Sequence, residues 1–433
     1  MKHKTLVLAL SALLLVGCQN EERYASFELP KNMEVAAQAA DPLKSENKTP
    51  LKTSHPQFVN DLATFSGDFI DKSMSAFDNK EDNSCISPVS LFGAMGMVAS
   101  ATTGDAQDEI LSMLGMSLEE VEAAAGPLVE NLSYEAPKDA PKGLCTFDNA
   151  MFLQDGHRFN QEGLNHIADK HYASSYILNF LHMNAEANRA MTEYIDRKTH
   201  GLIKPELGLD VFTVLVFMNT LYLKTVWSGF DMGETDNKDV FTQRDGSTER
   251  IKYLKTPYLS GRQNQHDTFS SFGIPLTANC SLRLMVPGEG HTLNDIKAVD
   301  WTAVAHETYA ANIGNAIYNT RAFFPAFTIE GDFDLLGLLK SGYGINTLFT
   351  DPDFSPISED PLYVTGVRQL TKLITDKEGV EGAAVTVVEC GATAVEPLKQ
   401  NVYEEFYANK AFAYEVVNEK TDAILFAGFV NSL

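Results

Sequence analysis

The sequence predicts an α+β fold with more than one sheet. Three observations point to it. Apolar residues recur at three- and four-residue intervals from Phe58, a nearly unbroken apolar run spans Asp210 to Lys224, and two apolar segments close the chain. The first is the rhythm of an amphipathic helix, the second that of a strand covered on both faces, and the third that of a hairpin. A chain of 433 residues with 44% hydrophobic content can bury a large core. Its formal charge of −24 and pI near 4.8 argue against nucleic acid or an anionic membrane surface as the main partner.

Residues 1–17 read as a bacterial lipoprotein signal. Lys2 and Lys4 begin it, Leu6 to Val16 is apolar, and Leu15-Val16-Gly17-Cys18 resembles a box that ends in an acylated Cys18. The other readings are a plain secretory signal or a short anchor helix, but a span would need about 20 apolar residues. The expectation is export to a bacterial envelope, periplasmic or cell-surface, with membrane contact only through the lipid. Residues 18–55 are polar, rich in Glu and Pro, and lack periodicity, so a flexible tether is expected before a domain over 56–433. Cys85, Cys145, Cys280 and Cys390 have neither zinc spacing nor a Cys-x-x-Cys pair, so buried free thiols are expected.

In chain order, Phe58, Leu62, Phe65, Phe69, Ile70 and Met74 mark a helix ending near Phe77. Ser87-Pro88 then starts a second, because serine caps and proline fits the first turn. No charge lies between Ser84 and Gly104, so this helix is expected to be buried all round. Asp105 to Leu114 is a third helix, closed by Gly115. A strand is expected around Cys145 to Leu153, with helices from Gln161 to His171 and Ala185 to Thr199. The apolar run from Asp210 holds Asn219, which needs partners if buried. Shorter strands follow at Glu249–Tyr258, Asp267–Ile274 and Ser281–Val286, then a helix from Leu293 to Ala305. Arg321 to Glu330 reads as one strand, with Pro325 implying an edge or bulge. Asp334 to Lys340 is helix, Phe354 to Ser358 a turn, and Leu362 to Thr375 combines short helix and strand.

The stretch from Lys377 to Val395 is unusual. On a strand, Val380, Gly382, Ala384, Thr386, Val388 and Cys390 would share one face without a charge. Glu381, Ala383, Val385, Val387 and Glu389 would share the other, which carries both glutamates. The uncharged face is small and glycine weakens a strand, which suits either an ordinary edge strand or a segment that slides between neighbours.

Catalytic constellations are missing. There is no Gly-x-Ser-x-Gly elbow and no His-Glu-x-x-His helix, so an enzyme, a metal site and a cofactor are not expected. His166 and His171 stand five apart and read as unrelated surface residues. Pro287 to Gly290 lacks the Lys-Ser/Thr ending of a phosphate loop and reads as a turn. Glu119-Glu120 and Glu404-Glu405 read as solvated faces.

Taken in sequence, several segments resemble the serpins: Ser84-Cys-Ile-Ser-Pro-Val-Ser, Phe217-Met-Asn-Thr-Leu-Tyr-Leu-Lys-Thr-Val-Trp, Phe324-Pro-Ala-Phe, Asp353-Phe-Ser-Pro-Ile-Ser, Glu378-Gly-Val-Glu-Gly-Ala-Ala, and Thr421-Asp-Ala-Ile-Leu-Phe-Ala-Gly-Phe-Val-Asn. The similarity covers roughly Pro56 to Leu433. It implies three β-sheets with about nine helices and an exposed reactive-centre loop from Gly379 to about Glu405. It also implies a monomer that acts as a suicide substrate of serine proteases, with papain-like cysteine proteases as further targets. The cleaved loop of that family inserts into the main sheet and drags the acyl-enzyme along. A dozen added ladder bonds at ~1 kcal/mol each would sum to the order of 10 kcal/mol, enough to distort a marginally stable protease.

By the same resemblance the loop hinge is Gly379, Val380, Glu381, Gly382, Ala383 and Ala384. Val380 and Gly382 depart from the usual threonine and alanine, but neither is charged or bulky. The shutter is Ser87, Ser90 and Asn219, with Gln369 where histidine is frequent. The scissile bond is Thr393-Ala394, which suits elastase-like or subtilisin-like proteases, or Lys399-Gln400, which suits a trypsin-like one. The alternative function is that of a non-inhibitory member acting as a binding or structural module.

Overall fold

In the computed structural model, residues 29–45, 48–77, 82–138, 140, 142–362, 364, 366–380 and 400–433 are described. Among them are nine α-helices: α1 (Leu51–Ser54), α2 (Pro56–Phe77), α3 (Pro88–Ala101), α4 (Asp105–Leu114), α5 (Leu118–Leu132), α6 (Gln161–His171), α7 (Asn184–Lys198), α8 (Ala298–Ala305) and α9 (Leu336–Tyr343). Ser87 caps α3 by accepting from Ser90 N, and Pro88 opens it. Gly115 closes α4 in the left-handed conformation, φ 69°. Helix α5 was not expected. Pro127 and a run of small residues blur its apolar stripe, but Ser117 and Glu120 form a capping box at its start. Glu120 is exposed as expected and also holds a helix end.

The principal strands are β1 (Glu34–Ala37), β2 (Gly143–Gln154), β3 (Ala173–Leu178), β4 (Leu215–Val226), β5 (Phe269–Leu276), β6 (Cys280–Pro287), β7 (Ala316–Phe324), β8 (Phe327–Asp334), β9 (Arg368–Thr375), β10 (Gly379–Val380), β11 (Gln400–Tyr407), β12 (Phe412–Asn418) and β13 (Ala423–Val430). They build three main sheets. The first runs β1-β3-β2-β4-β10, and β2 and β3 are parallel with α6 between them. The antiparallel pair β8–β9 forms a separate two-stranded sheet. The second contains β5, β6, β12 and β13, all antiparallel. The third is centred on β7, with β11 parallel to it.

Strand β4 is covered on both faces, as its apolar run implies, although it starts at Leu215 instead of Asp210. Leu215 and Phe217 pack on the main core, while Val216 and Met218 pack on a second core formed with α7 and the outer face of β2 and β3. Several expectations need correction. Arg321 to Glu330 is two strands in different sheets. Pro325 lies between them because proline cannot donate to a continuing ladder. Glu249 to Tyr258 divides into Thr248–Ile251 and Leu254–Lys255, and Leu293 to Ala305 into a 3-10 turn followed by α8. Leu362 to Thr375 has no helix among its described residues. Part of the stretch read as a tether is built into the domain: β1 pairs with β3, and Leu51 is buried. His171 is buried, not a surface residue. Its Nε2 lies 2.8 Å from Ser100 Oγ, and burial pulls its pKa down to about 4. Glu404 is half-buried, 3.6 Å from Arg262 Nε.

Candidate functional site

Asp376 shapes the turn that leads into the reactive stretch. Its Oδ1 accepts from Glu378 N at 2.8 Å and Gly379 N at 3.2 Å, while its own N–H donates to Gly379 O at 3.0 Å. Gly379 then approaches β4 so closely that only glycine fits. Its φ is 147°, and a Cβ there would lie 2.3 Å from Thr225 O and 2.6 Å from Val226 Cα. Gly379 pairs with Val226 and Val380 with Thr225, antiparallel. Thr225 Oγ1 donates to Val380 O at 3.2 Å, and Val380 is 1% exposed. Trp227 Nε1 donates to Asp376 O at 3.1 Å, so the end of β4 grips the turn from both sides.

Below this hinge lies a seam. One edge of β4 is bonded to β2 from Gly143↔Thr225 to Leu153↔Leu215. One edge of β9 is bonded to β8 along its length. Among the described residues no ladder joins the other edges of β4 and β9, and only Gly379 and Val380 pair with β4 on that side.

The shutter residues divide across the seam. On the β9 side, Gln369 clamps the start of α3. Its Oε1 accepts from Ser87 N at 3.0 Å and its Nε2 donates to Ser87 O at 2.8 Å. Ser87 Oγ donates to Ser90 Oγ at 2.9 Å, so these three residues are together. Asn219 is not bonded to them. From β4 its Nδ2 donates to Asn149 Oδ1 at 2.8 Å, and Asn149 donates to His171 O at 2.8 Å. Asn219 Oδ1 is buried without a partner among the described residues. The physical reason is plain: both ends of the Gln369 amide are used on the Ser87 backbone, and Asn219 faces a neighbour on its own half-sheet.

Sequence reasoning missed the anchors of α7. Tyr194 Oη donates to Asp148 Oδ2 at 2.6 Å, and Lys198 pairs with the same carboxylate. Burial alone would lower the Lys198 pKa, but Asp148 outweighs it and the net shift is upward. Only an i, i+4 spacing of Tyr194 and Lys198 marked them in the sequence. Asp148 comes from a distant strand.

The described thiols are buried. Cys85, Cys145 and Cys280 are free and buried, and burial pushes Cys85 up to about 11 and Cys145 up to about 12. Among the described residues no His, Cys, Asp and Glu cluster could hold a metal, and no helix is long and apolar enough to cross a membrane. Glu381, Gly382, Ala383, Ala384, Thr393, Ala394, Lys399, Cys390 and Cys18 lie outside the described residues. Gln400 opens β11, and its N–H donates to Asn315 O at 2.9 Å.

Fold and site together define a multi-sheet protein whose loop hinge is docked on one edge of β4. The chain belongs to the serpin family: residues 61–433 match the family described as Serpin (serine protease inhibitor). It is 26% identical to alpha-1-antiproteinase F of Cavia porcellus, over 80% of this chain and 84% of that one. It is 25% identical to alpha-1-antitrypsin of Sus scrofa, over 82% of each. The fold is similar to that of the thermophilic serpin tengpin in its native state, with a TM-score of 0.71 at 20% identity over 91% of this chain and 97% of that one. It is likewise similar to thyroxine-binding globulin in complex with thyroxine, with a TM-score of 0.70 at 19% identity over 87% and 99%. Serpins as a family are inhibitors aimed at serine proteases, not enzymes.

Proposed function

We propose that this chain is a suicide-substrate inhibitor that traps serine proteases as acyl-enzymes by taking its cleaved loop into the seam between β4 and β9. One observation carries the reading. Gly379 and Val380 already stand in antiparallel register on β4, at the end of a seam where β4 and β9 share no ladder. On insertion, continuing that register would bring position 390 opposite Leu215, the far end of the strand. The uncharged face from Val380 to Cys390 would then turn inward, where a charge would be costly. The orphaned Asn219 Oδ1 would lie in the same lane, opposite position 386, a threonine able to donate to it.

Thr393-Ala394 is the preferred scissile bond. In the alternative, the amide of Lys399-Gln400 supplies the Gln400 N–H that is bonded to Asn315 O, so a protease would first have to strip that bond from β11. A small residue before the cut suits elastase-like or subtilisin-like proteases. Export and acylation at Cys18 would hold the inhibitor at a bacterial envelope, and β1 and α1 would leave a shorter free tether than residues 18–55.

Incubation with elastase, subtilisin and trypsin tests the reading. A denaturant-resistant adduct is expected, with a released peptide whose mass corresponds to Ala394–Leu433. Cleavage without any adduct would favour a non-inhibitory binding module instead.

A further inference from the structure

Arg368 belongs neither to the hinge nor to the Ser87 cluster. It opens β9, and its neighbour Gln369 points inward to Ser87, so strand alternation sends Arg368 to the outer face. There its Nε and Nη2 donate to the two carboxylate oxygens of Asp332 on β8, at 2.7 and 2.6 Å. The third nitrogen, Nη1, donates to the backbone carbonyl of Glu206 at 3.2 Å.

Glu206 lies in the segment that returns from the end of α7 to β4. Thr192 Oγ1 on α7 donates to Pro205 O at 3.0 Å, and Leu209 N donates to Asn188 Oδ1 at 2.8 Å. Leu207 and Leu209 pack against the same second core as Val216 and Met218 of β4. The segment is therefore seated on α7 and β4 yet reaches β9 through Arg368. It straps the outer face of the seam.

We propose that Arg368 is a positioning residue that latches this strap across the seam and so sets how fast a strand enters it. This rests on the reading that the cleaved loop inserts between β4 and β9. A bidentate carboxylate fixes the guanidinium plane, which aims an Nη1 N–H at one carbonyl. A strand that bonds to the edges of both β4 and β9 must pass beneath a strap tied to both, so the strap has to lift. The Arg368 side chain is 42% exposed, so its single bond to the strap is modest and its loss should change a rate about three- to tenfold.

The experiment uses the full chain and an added peptide with the sequence of residues 380–393, whose annealing is followed by native electrophoresis. Arg368→Ala should anneal the peptide about three- to tenfold faster than the wild type, with Arg368→Lys in between. The control is Lys372→Ala, because Lys372 pairs with Glu330 at 2.6 Å across the same two strands. It loosens β8–β9 without touching the strap, and its rate should stay near the wild-type value. Equal rates for Arg368→Ala and the wild type, or equal acceleration by Lys372→Ala, would overturn the latch alone. Failure of the peptide to anneal to any form would remove the insertion reading and the latch together.

Discussion

Two sheets of this protein treat their central strands in opposite ways. In the second sheet β6 is bonded to β5 on one edge and to β12 on the other, and all eight of its residues are buried. In the first sheet β4 is longer, at twelve residues, yet its first five are only half-buried and its seam edge pairs only at the hinge among the described residues. Both strands are predominantly apolar. On the proposed reading, burial and pairing are complete where the fold stays fixed and, among the described residues, incomplete where a further strand would be received.

The largest effect is expected from a charge at the hinge. Val380→Arg would bury an unpaired guanidinium beside Thr225, and the adduct yield should fall at least about tenfold while cleavage continues. Adduct formation at the wild-type level would break the contrast between the two sheets. Truncation in the closed sheet should behave differently. Leu284→Ala on β6 should cost ~2–5 kcal/mol of stability, seen as a lower denaturant midpoint in both intact and cleaved protein, with the fraction of protease trapped unchanged.

The wall behind the seam gives a pH-dependent effect. His171 supports Asn149 and through it Asn219, and burial holds its folded pKa near 4 against an ordinary 6.5. The native state therefore binds fewer protons than the unfolded chain between those values. Stability is full above about pH 6.5 and falls as pH drops toward 4, by ~3 kcal/mol in all. Urea midpoints across that window should depend less steeply on pH in His171→Gln than in the wild type, and identical slopes would contradict the assignment. The smallest effect concerns the other wall. Gln369→Ala leaves the Ser87 N–H and C=O unpaired and should lower stability by ~1–3 kcal/mol, measured as a lower urea midpoint of the intact protein.

Local chemistry made much of this legible. Ser87-Pro88 marked the start of α3 and Gly115 the end of α4, since each signal lies within a few residues of the feature it creates. Long-range partners were not legible. Nothing near Gln369 in the chain says that it takes both faces of the Ser87 peptide unit, or that Asn219 turns to Asn149. Pro325 read as an edge or a bulge because the change of sheet depends on where β7 and β8 find neighbours. His171 read as a surface residue because its burial comes from packing against α3, whose Ser100 lies 71 residues away.

The central claim is that the seam gains a strand once the loop is cut. Its most direct test is the melting temperature of the protein before and after a single nick in the loop. About 10 kcal/mol of added ladder should raise it by on the order of 20 °C. A nicked protein that melts at or below the temperature of the intact one would contradict the account.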